Sequence, residues 1–366
     1  MAGSSFGTLF RITTWGESHG EALGVVIDGC PSQVPLCEDD INEYMDRRRP
    51  GRNAFSTPRQ EGDKVEILSG VFEGKTTGTP ISLLIRNTSQ RSGDYSNIKD
   101  VYRPGHADYT YDEKYGFRDY RGGGRSSGRE TSARVAAGAV ACKVLSHLGI
   151  QVYAYTRSIG EILSQPTEPN YENRILLPSA MLDPDADAKA NEYLAKIKAD
   201  YNSVGGSMEC IIKGLPVGLG DPVFEKLDAN LSKAVMSIGA VKAVEIGEGH
   251  NVSTMLGSEN NDSFYCEESM VKKSTNHAGG ILGGISDGSD ILIRAYVKPT
   301  PSIFKEQNSM NTAHENITLQ IKGRHDPVVV SRASVVMECM CAITILDELL
   351  LNMSARLDRI KEFYKK

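Results

Sequence analysis

Asp119-Tyr-Arg-Gly-Gly-Gly-Arg-Ser-Ser-Gly-Arg-Glu-Thr-Ser-Ala-Arg-Val-Ala-Ala-Gly-Ala-Val-Ala141 joins a glycine-rich loop to a long helix. Ser127 and Glu130 have the Ser-x-x-Glu spacing of a capping box, so the helix is expected from about Gly128. Val135, Ala139, Cys142, Leu145 and Leu148 recur at three- and four-residue steps, the period of one apolar stripe, and Gly149 supplies the stop. A helix N-terminus carries unpaired N–H groups and about half a positive charge. Arg121, Arg125, Arg129 and Arg134 flank this one, and Gly122, Gly123 and Gly124 let a ligand come close to the backbone. These residue types in this order predict a site for phosphate or carboxylate. The alternative is a surface helix with solvated arginines.

The chain has 366 residues, enough for a sizeable core in one large domain or two. Lys and Arg number 41 against 47 Asp and Glu, a net charge of −6, which argues against general nucleic-acid binding. Arginine clusters are the more informative for standing against that sign. The seven cysteines include no C-x-x-C pair, which predicts free thiols in a reducing cytoplasm. No signal peptide is visible at the N-terminus, and no apolar run reaches the roughly 18 residues of a membrane span. The expected setting is cytoplasmic.

Strands are expected at 9–14 and 23–27, on either side of Trp15-Gly-Glu-Ser-His-Gly20, a tight turn that exposes the tips of Ser18 and His19. Residues 38–48 read as a helix with acidic residues in its first turn, running into Arg47-Arg-Arg-Pro-Gly-Arg52. Four arginines in six positions are either a solvated helix end or a second anion clamp, since guanidinium matches phosphate and carboxylate with paired hydrogen bonds. Residues 65–72 and 80–85 predict paired strands; the Gly70-to-Thr76 stretch between them is one residue short of a P-loop and lacks the following helix. Tyr102-Arg-Pro-Gly-His-Ala-Asp108 holds His106 in an ordered turn, and its His-x-Asp spacing alone does not complete a metal site.

Beyond the long helix, the polar, proline-punctuated stretch to about Pro184 is the least informative part of the chain. An exposed charged helix is expected at 188–200, an amphipathic one at 225–238 and a buried one at 335–351. Strands are expected at 208–213, 241–246 and 291–297. The paired glycines of Asn276-His-Ala-Gly-Gly-Ile-Leu-Gly-Gly-Ile285 do not match a Rossmann fingerprint. The charged tail from about residue 353 is expected to be solvated. The chain shows no internal repeat, low-complexity tract or clear linker.

Taken together, these motifs resemble the chorismate synthase family over nearly the whole chain. The resemblance rests on Gly16-Glu-Ser-His-Gly20 with Asp28-Gly29, Arg47-Arg-Arg-Pro-Gly51, Arg103-Pro-Gly-His-Ala-Asp108 and Arg121-Gly-Gly-Gly-Arg-Ser-Ser127. Asn276 to Gly284, Lys298-Pro-Thr300 and Arg324-His-Asp-Pro327 complete it, and Gly128 stands where the family more often has alanine. The resemblance implies a single α+β domain, a β-α-β sandwich with a helical layer between two largely antiparallel sheets, assembled as a homotetramer. It implies 1,4-anti elimination of phosphate from 5-enolpyruvylshikimate 3-phosphate, giving chorismate, with reduced FMN required and no net redox change. It further implies that Ser18, His19, Arg48, Ser127, Arg129 and Arg324 hold substrate, with His19 donating a proton to the departing phosphate. The same resemblance implies that His106 stabilises the reduced flavin and that Asp326 relays a proton from it. The implied flavin contacts are Arg48, His106, Arg125, Ser126, Ser127, Gly239, Ala240, Gly283, Lys298, Pro299, Thr300, Pro301, Ser302 and Arg324. No metal is expected. Near-minimal length favours an external flavin reductase over NADPH-driven reduction of the chain's own flavin. Two rival classes fit parts of the pattern: a metal-dependent phosphohydrolase using His19 and His106, and an RNA binder built on Arg121 to Arg125.

Overall fold

Two five-stranded sheets face each other across a layer of helices in this computed structural model, which describes residues 3–49, 62–88, 99–321 and 326–365. The first sheet runs Ser5–Phe6, Arg11–Gly16, Ala22–Asp28, Ile81–Arg86, Val65–Ser69, every neighbour antiparallel. Period-two alternation sends Ile12 and Thr14, then Ile81, Leu83 and Ile85, to the inner face. Each such aliphatic side chain contributes about 1.5–3 kcal/mol by leaving water. The second sheet runs Ile162–Leu163, Gln151–Ile159, Gly206–Lys213, Ile291–Val297, Val241–Ile246, also antiparallel, and turns Ile291, Ile293, Ala295 and Val297 inward.

The Glu38–Arg48 helix forms where its acidic first turn predicted, and the Asp40 carboxylate accepts the Cys37 N–H. The amphipathic helix is Leu227–Met236; its apolar face, Leu227, Leu231 and Val235 with Ile238 just beyond, is buried. The last long helix, Val330–Asn352, lies on the second sheet and against the Thr131–His147 helix, which in turn covers the first sheet. At their crossing Gly138 lies so close to Cys339 that a Cβ there would fall 2.1 Å from the cysteine's Cβ. Only glycine permits that approach. The α+β sandwich implied by the resemblance is thus the observed fold.

Four local expectations are corrected. The long helix has no capping box: Ser127 Oγ accepts from the N–H of Arg129, and the Glu130 carboxylate pairs with Arg134 one turn on. It opens with a tight turn at Gly128–Glu130 before the helix proper at Thr131. Its burial is nearly all-round rather than a stripe, because partners cover both sides, while Leu148 stays exposed. The stretch least informative in sequence contains the nine-residue Gln151–Ile159 strand, whose inward positions include the small or polar Ala154 and Thr156 and so give no apolar run. The exposed charged helix is Pro184–Ala199, and it buries Ala186, Asp187, Ala190 and Leu194. The charged tail is solvated as expected, with a short exposed helix at Leu357–Phe363.

All seven cysteines are free thiols. Among the described residues no helix is long and apolar enough to cross a membrane. A small sheet of Asn316–Gln320, Glu306–Asn311 and Val101–Tyr102 matters for the site: pairing Tyr102 with Met310 brings the loop that carries His106 to the chain just before residue 306.

Candidate active site

The turn between the second and third strands holds Ser18 and His19, whose tips, expected to be exposed, are instead nearly inaccessible to water because the glycine loop packs over them. Gly122, at φ +76°, packs its α-carbon on the imidazole; a Cβ there would meet the ring at 2.2 Å. The glycine loop therefore closes over His19 because it has no side chains to intervene. Ser18 Oγ donates to Gly122 O at 3.3 Å and lies 3.1 Å from His19 Nδ1. Asp119 pairs with Arg121, whose hydrogen bonds hold the Asp119 carboxyl below its usual range, with the nearby His19 ring adding to the effect.

Beside this turn two buried arginines converge on one carboxylate. Arg48, at the end of its helix, is 3.1 Å from Asp63, and Arg129, from the tight turn before the long helix, binds the other oxygen. Arg48 also donates to Gly128 O, Arg129 O and Thr131 Oγ1, and Arg129 Nε donates to Asn87 Oδ1 at 2.9 Å. Burial alone raises the Asp63 carboxyl, but the charges of Arg48 and Arg129, with Arg332 behind them, hold it below its usual range. Arg332 also donates to Arg48 O and pairs with Asp326 at 2.5 Å.

A second group forms where the His106 loop meets residues 298–302. His106 Nε2 is 2.7 Å from Ser302 Oγ, Lys298 Nζ donates to Gly105 O, and Gly105 lies against Pro301. Ser203 Oγ donates to Thr300 O, and Val204 N–H donates to Pro327 O, which ties this group to the segment carrying Asp326. Ala240 O accepts from the Lys298 N–H, with Gly239 beside it in sequence. Arg103, in the His106 loop, reaches the glycine loop at Gly123 and forms a paired ion bridge with Asp108. That bridge commits the carboxylate of the His-x-Asp motif to an arginine.

Most of the remaining arginines and loop residues singled out in the sequence have partners of their own within the chain. Of the arginine run, Arg47 turns into the core onto Glu338 and Arg49 pairs with Asp46 at the surface, so Arg48 alone of the described arginines joins the site. Arg121 and Arg134 have carboxylate partners, and Arg125 donates to Gly16 O and Thr14, bracing the strand that leads into the His19 turn. Ser126 bonds to Gly123 O and Ser127 to the Arg129 N–H. Gly283 sits at a hairpin turn, and no described contact joins it to the 298–302 segment. Arg52 and Arg324 lie outside the described residues. The ion-pair partner seen for Asp326 is Arg332, in the first turn of the last long helix. Sequence reasoning missed Asp63, Asn87 and Arg332. The one available signal was that two buried guanidiniums require a buried counter-charge.

An antiparallel sheet–helix–sheet fold with a shielded histidine beside clustered arginines and carboxylates defines a protein equipped for acid–base work on an anionic ligand. The chain belongs to the chorismate synthase family, whose model matches residues 10–350. It is 59% identical to a chorismate synthase of Agathobacter rectalis over the full length of both chains. Identity to a chorismate synthase of Methanosarcina mazei is 53%, covering 96% of this chain and 97% of that one. A crystal structure of chorismate synthase superposes with a TM-score of 0.77 at 31% identity, covering 98% of this chain and 96% of that one.

Proposed function

We propose that this chain, a lyase of its family, eliminates phosphate from 5-enolpyruvylshikimate 3-phosphate by a 1,4-anti route to give chorismate. The carrying observation is that the turn holding His19, which Ser18 and Gly122 clamp, is tied through Asn87 to Arg129 of the buried Arg48–Asp63–Arg129 cluster. A substrate with one phosphate and two carboxylates calls for several guanidiniums, and a departing phosphate needs positive charge where negative charge grows. With its hydrogen on Gly122 O, the Ser18 hydroxyl accepts from Nδ1–H of His19 and so fixes the ring, whose protonated imidazolium form gives up a proton to the leaving group. Asp326, oriented by Arg332, holds and passes on a proton at its carboxylate. Ser127 and Arg324 complete the substrate set.

The second group fits FMN. Thr300 Oγ1 is buried with no hydrogen-bond partner among the described residues, next to Lys298 and Ser302, a donor set suited to a phosphorylated polar ligand. Lys298 to Ser302, His106, Ala240 and the Arg125-to-Ser127 loop would hold it. Reduced FMN, when bound, supplies an electron-rich partner to the elimination with no net redox change. His106 answers the charge of that group while Ser302 orients its ring. A homotetramer, a cytoplasmic setting and an external flavin reductase belong to the same reading. An anaerobic assay with chemically reduced FMN, following chorismate and phosphate together, tests it. Equal release of both products only with reduced FMN is expected; phosphate release without flavin and sensitive to chelators would favour a metal phosphohydrolase instead.

A further inference from the structure

Asn87 follows the Ile81–Arg86 strand and touches both halves of the substrate side of the site. Its backbone N–H donates to Glu21 O at 3.0 Å. Its side-chain nitrogen donates to Glu17 O at 3.1 Å and Gly20 O at 2.8 Å, the two carbonyls that bracket Ser18 and His19. Its side-chain oxygen accepts from Arg129 Nε at 2.9 Å. The orientation of the amide follows from its partners: carbonyls face the NH2 group and a guanidinium faces the oxygen. One residue thus ties three points of the histidine turn, two of them through its side chain, to the arginine that Asp63 holds from its other side.

We propose that Asn87 is a positioning residue that sets the His19 turn and Arg129 at a fixed separation. Proton donor and anion-binding guanidinium are then presented to one substrate together. The inference rests on the roles given above to His19 and Arg129. A shorter residue would leave two carbonyls of the turn and Nε of Arg129 without this partner, and aspartate would repel the carbonyls, so asparagine alone satisfies both arms at this reach.

Double substitutions test it. In Asn87→Ala, kcat/KM should fall about 10²-fold, the scale of a small misplacement near reacting atoms, through both a raised KM and a lowered kcat. In an Arg129→Ala background the same change should lower kcat alone, and in a His19→Ala background it should raise KM alone. Losses of both parameters that add in both backgrounds would overturn the proposal and make Asn87 a fold-holding residue. A readout without turnover is nitrogen NMR of the His19 ring in the ligand-free chain. Its signals should move in Asn87→Ala but not in Arg86→Ala, whose surface ion pair with Glu66 lies one residue away; unmoved signals in both would sink the histidine arm. The parent substitutions separate the two readings. Wild-type kinetics in His19→Ala or Arg129→Ala would overturn those roles and this coupling with them. Crippled parents beside a normal Asn87→Ala would overturn the coupling alone.

Discussion

Asp326 is the residue whose two possible roles separate most cleanly. Its carboxylate lies 2.5 Å from Arg332, which also donates to the backbone oxygen of Arg48. If Asp326 only orients Arg332, its loss slackens Arg48, so Asp326→Asn weakens substrate binding while turnover at saturation survives. As a proton relay it predicts the reverse: affinities within a few-fold of wild type and turnover down by about 10² or more, because an amide of the same shape cannot take up the proton. The relay is the expected outcome, checked by steady-state kinetics alongside equilibrium substrate binding. For His19, the clamp of Ser18 and Gly122 predicts a role in proton delivery. His19→Ala should lower kcat by about 10²- to 10⁴-fold with FMN affinity nearly intact. A matching loss of flavin binding would place the histidine in the other group.

The helix crossing sets the tolerance of the central layer. Gly138 faces Cys339, and its missing side chain lets the Thr131–His147 and Val330–Asn352 helices meet at backbone distance. A methyl group there has to push against the Cα and Cβ of Cys339, atoms fixed to a helix buried on nearly every side. Gly138→Ala should therefore destabilise by about 1–3 kcal/mol, the usual cost of overpacking, despite alanine's better helix propensity. Thermal unfolding would show it as a lowered Tm; an unchanged or raised Tm would mean that the two helices can separate at little cost. The same crossing explains the failed stripe. A helix with partners on both sides has no solvent face to leave polar.

Across the whole molecule, the ion cluster at Glu338 joins three parts of the chain. This fully buried carboxylate takes both ends of the Arg47 guanidinium, at 2.5 and 2.9 Å, together with Arg174 and the Ala154 N–H. Burial raises its pKa, yet Arg47, then Arg174 and the Ala154 N–H, hold it below the ordinary value. A depressed folded-state value means that the contribution to stability is complete above the ordinary carboxyl value of 4.5 and is lost as pH falls through the lower, folded one. Glu338→Gln should cost about 3–5 kcal/mol near neutral pH, because two buried guanidiniums lose their counter-charge. The variant's Tm should also fall less steeply with acid than that of the wild type. Parallel Tm-against-pH curves for the two proteins would show that Glu338 is not a source of the acid sensitivity.

What the amino-acid order determined alone was what depends on near neighbours. The Glu38–Arg48 helix, the Val241–Ile246 and Ile291–Val297 strands and the buried last helix were legible because period and end signals lie within each segment. The glycine loop was legible as backbone that something must approach closely. That something proved to include the chain's own His19. Tertiary structure decided which of many arginines serve the site. Arg47 and Arg48 are adjacent in sequence, but neighbouring positions on a helix point about 100° apart, so one enters the core to meet Glu338 and the other meets Asp63. Asp63, Asn87 and Arg332 carry no local signature, since each is tied to the site by a partner far along the chain, 15, 42 and 284 positions away. A counter-charge or a tether is defined by distance in space, and only the folded chain brings those distances into being.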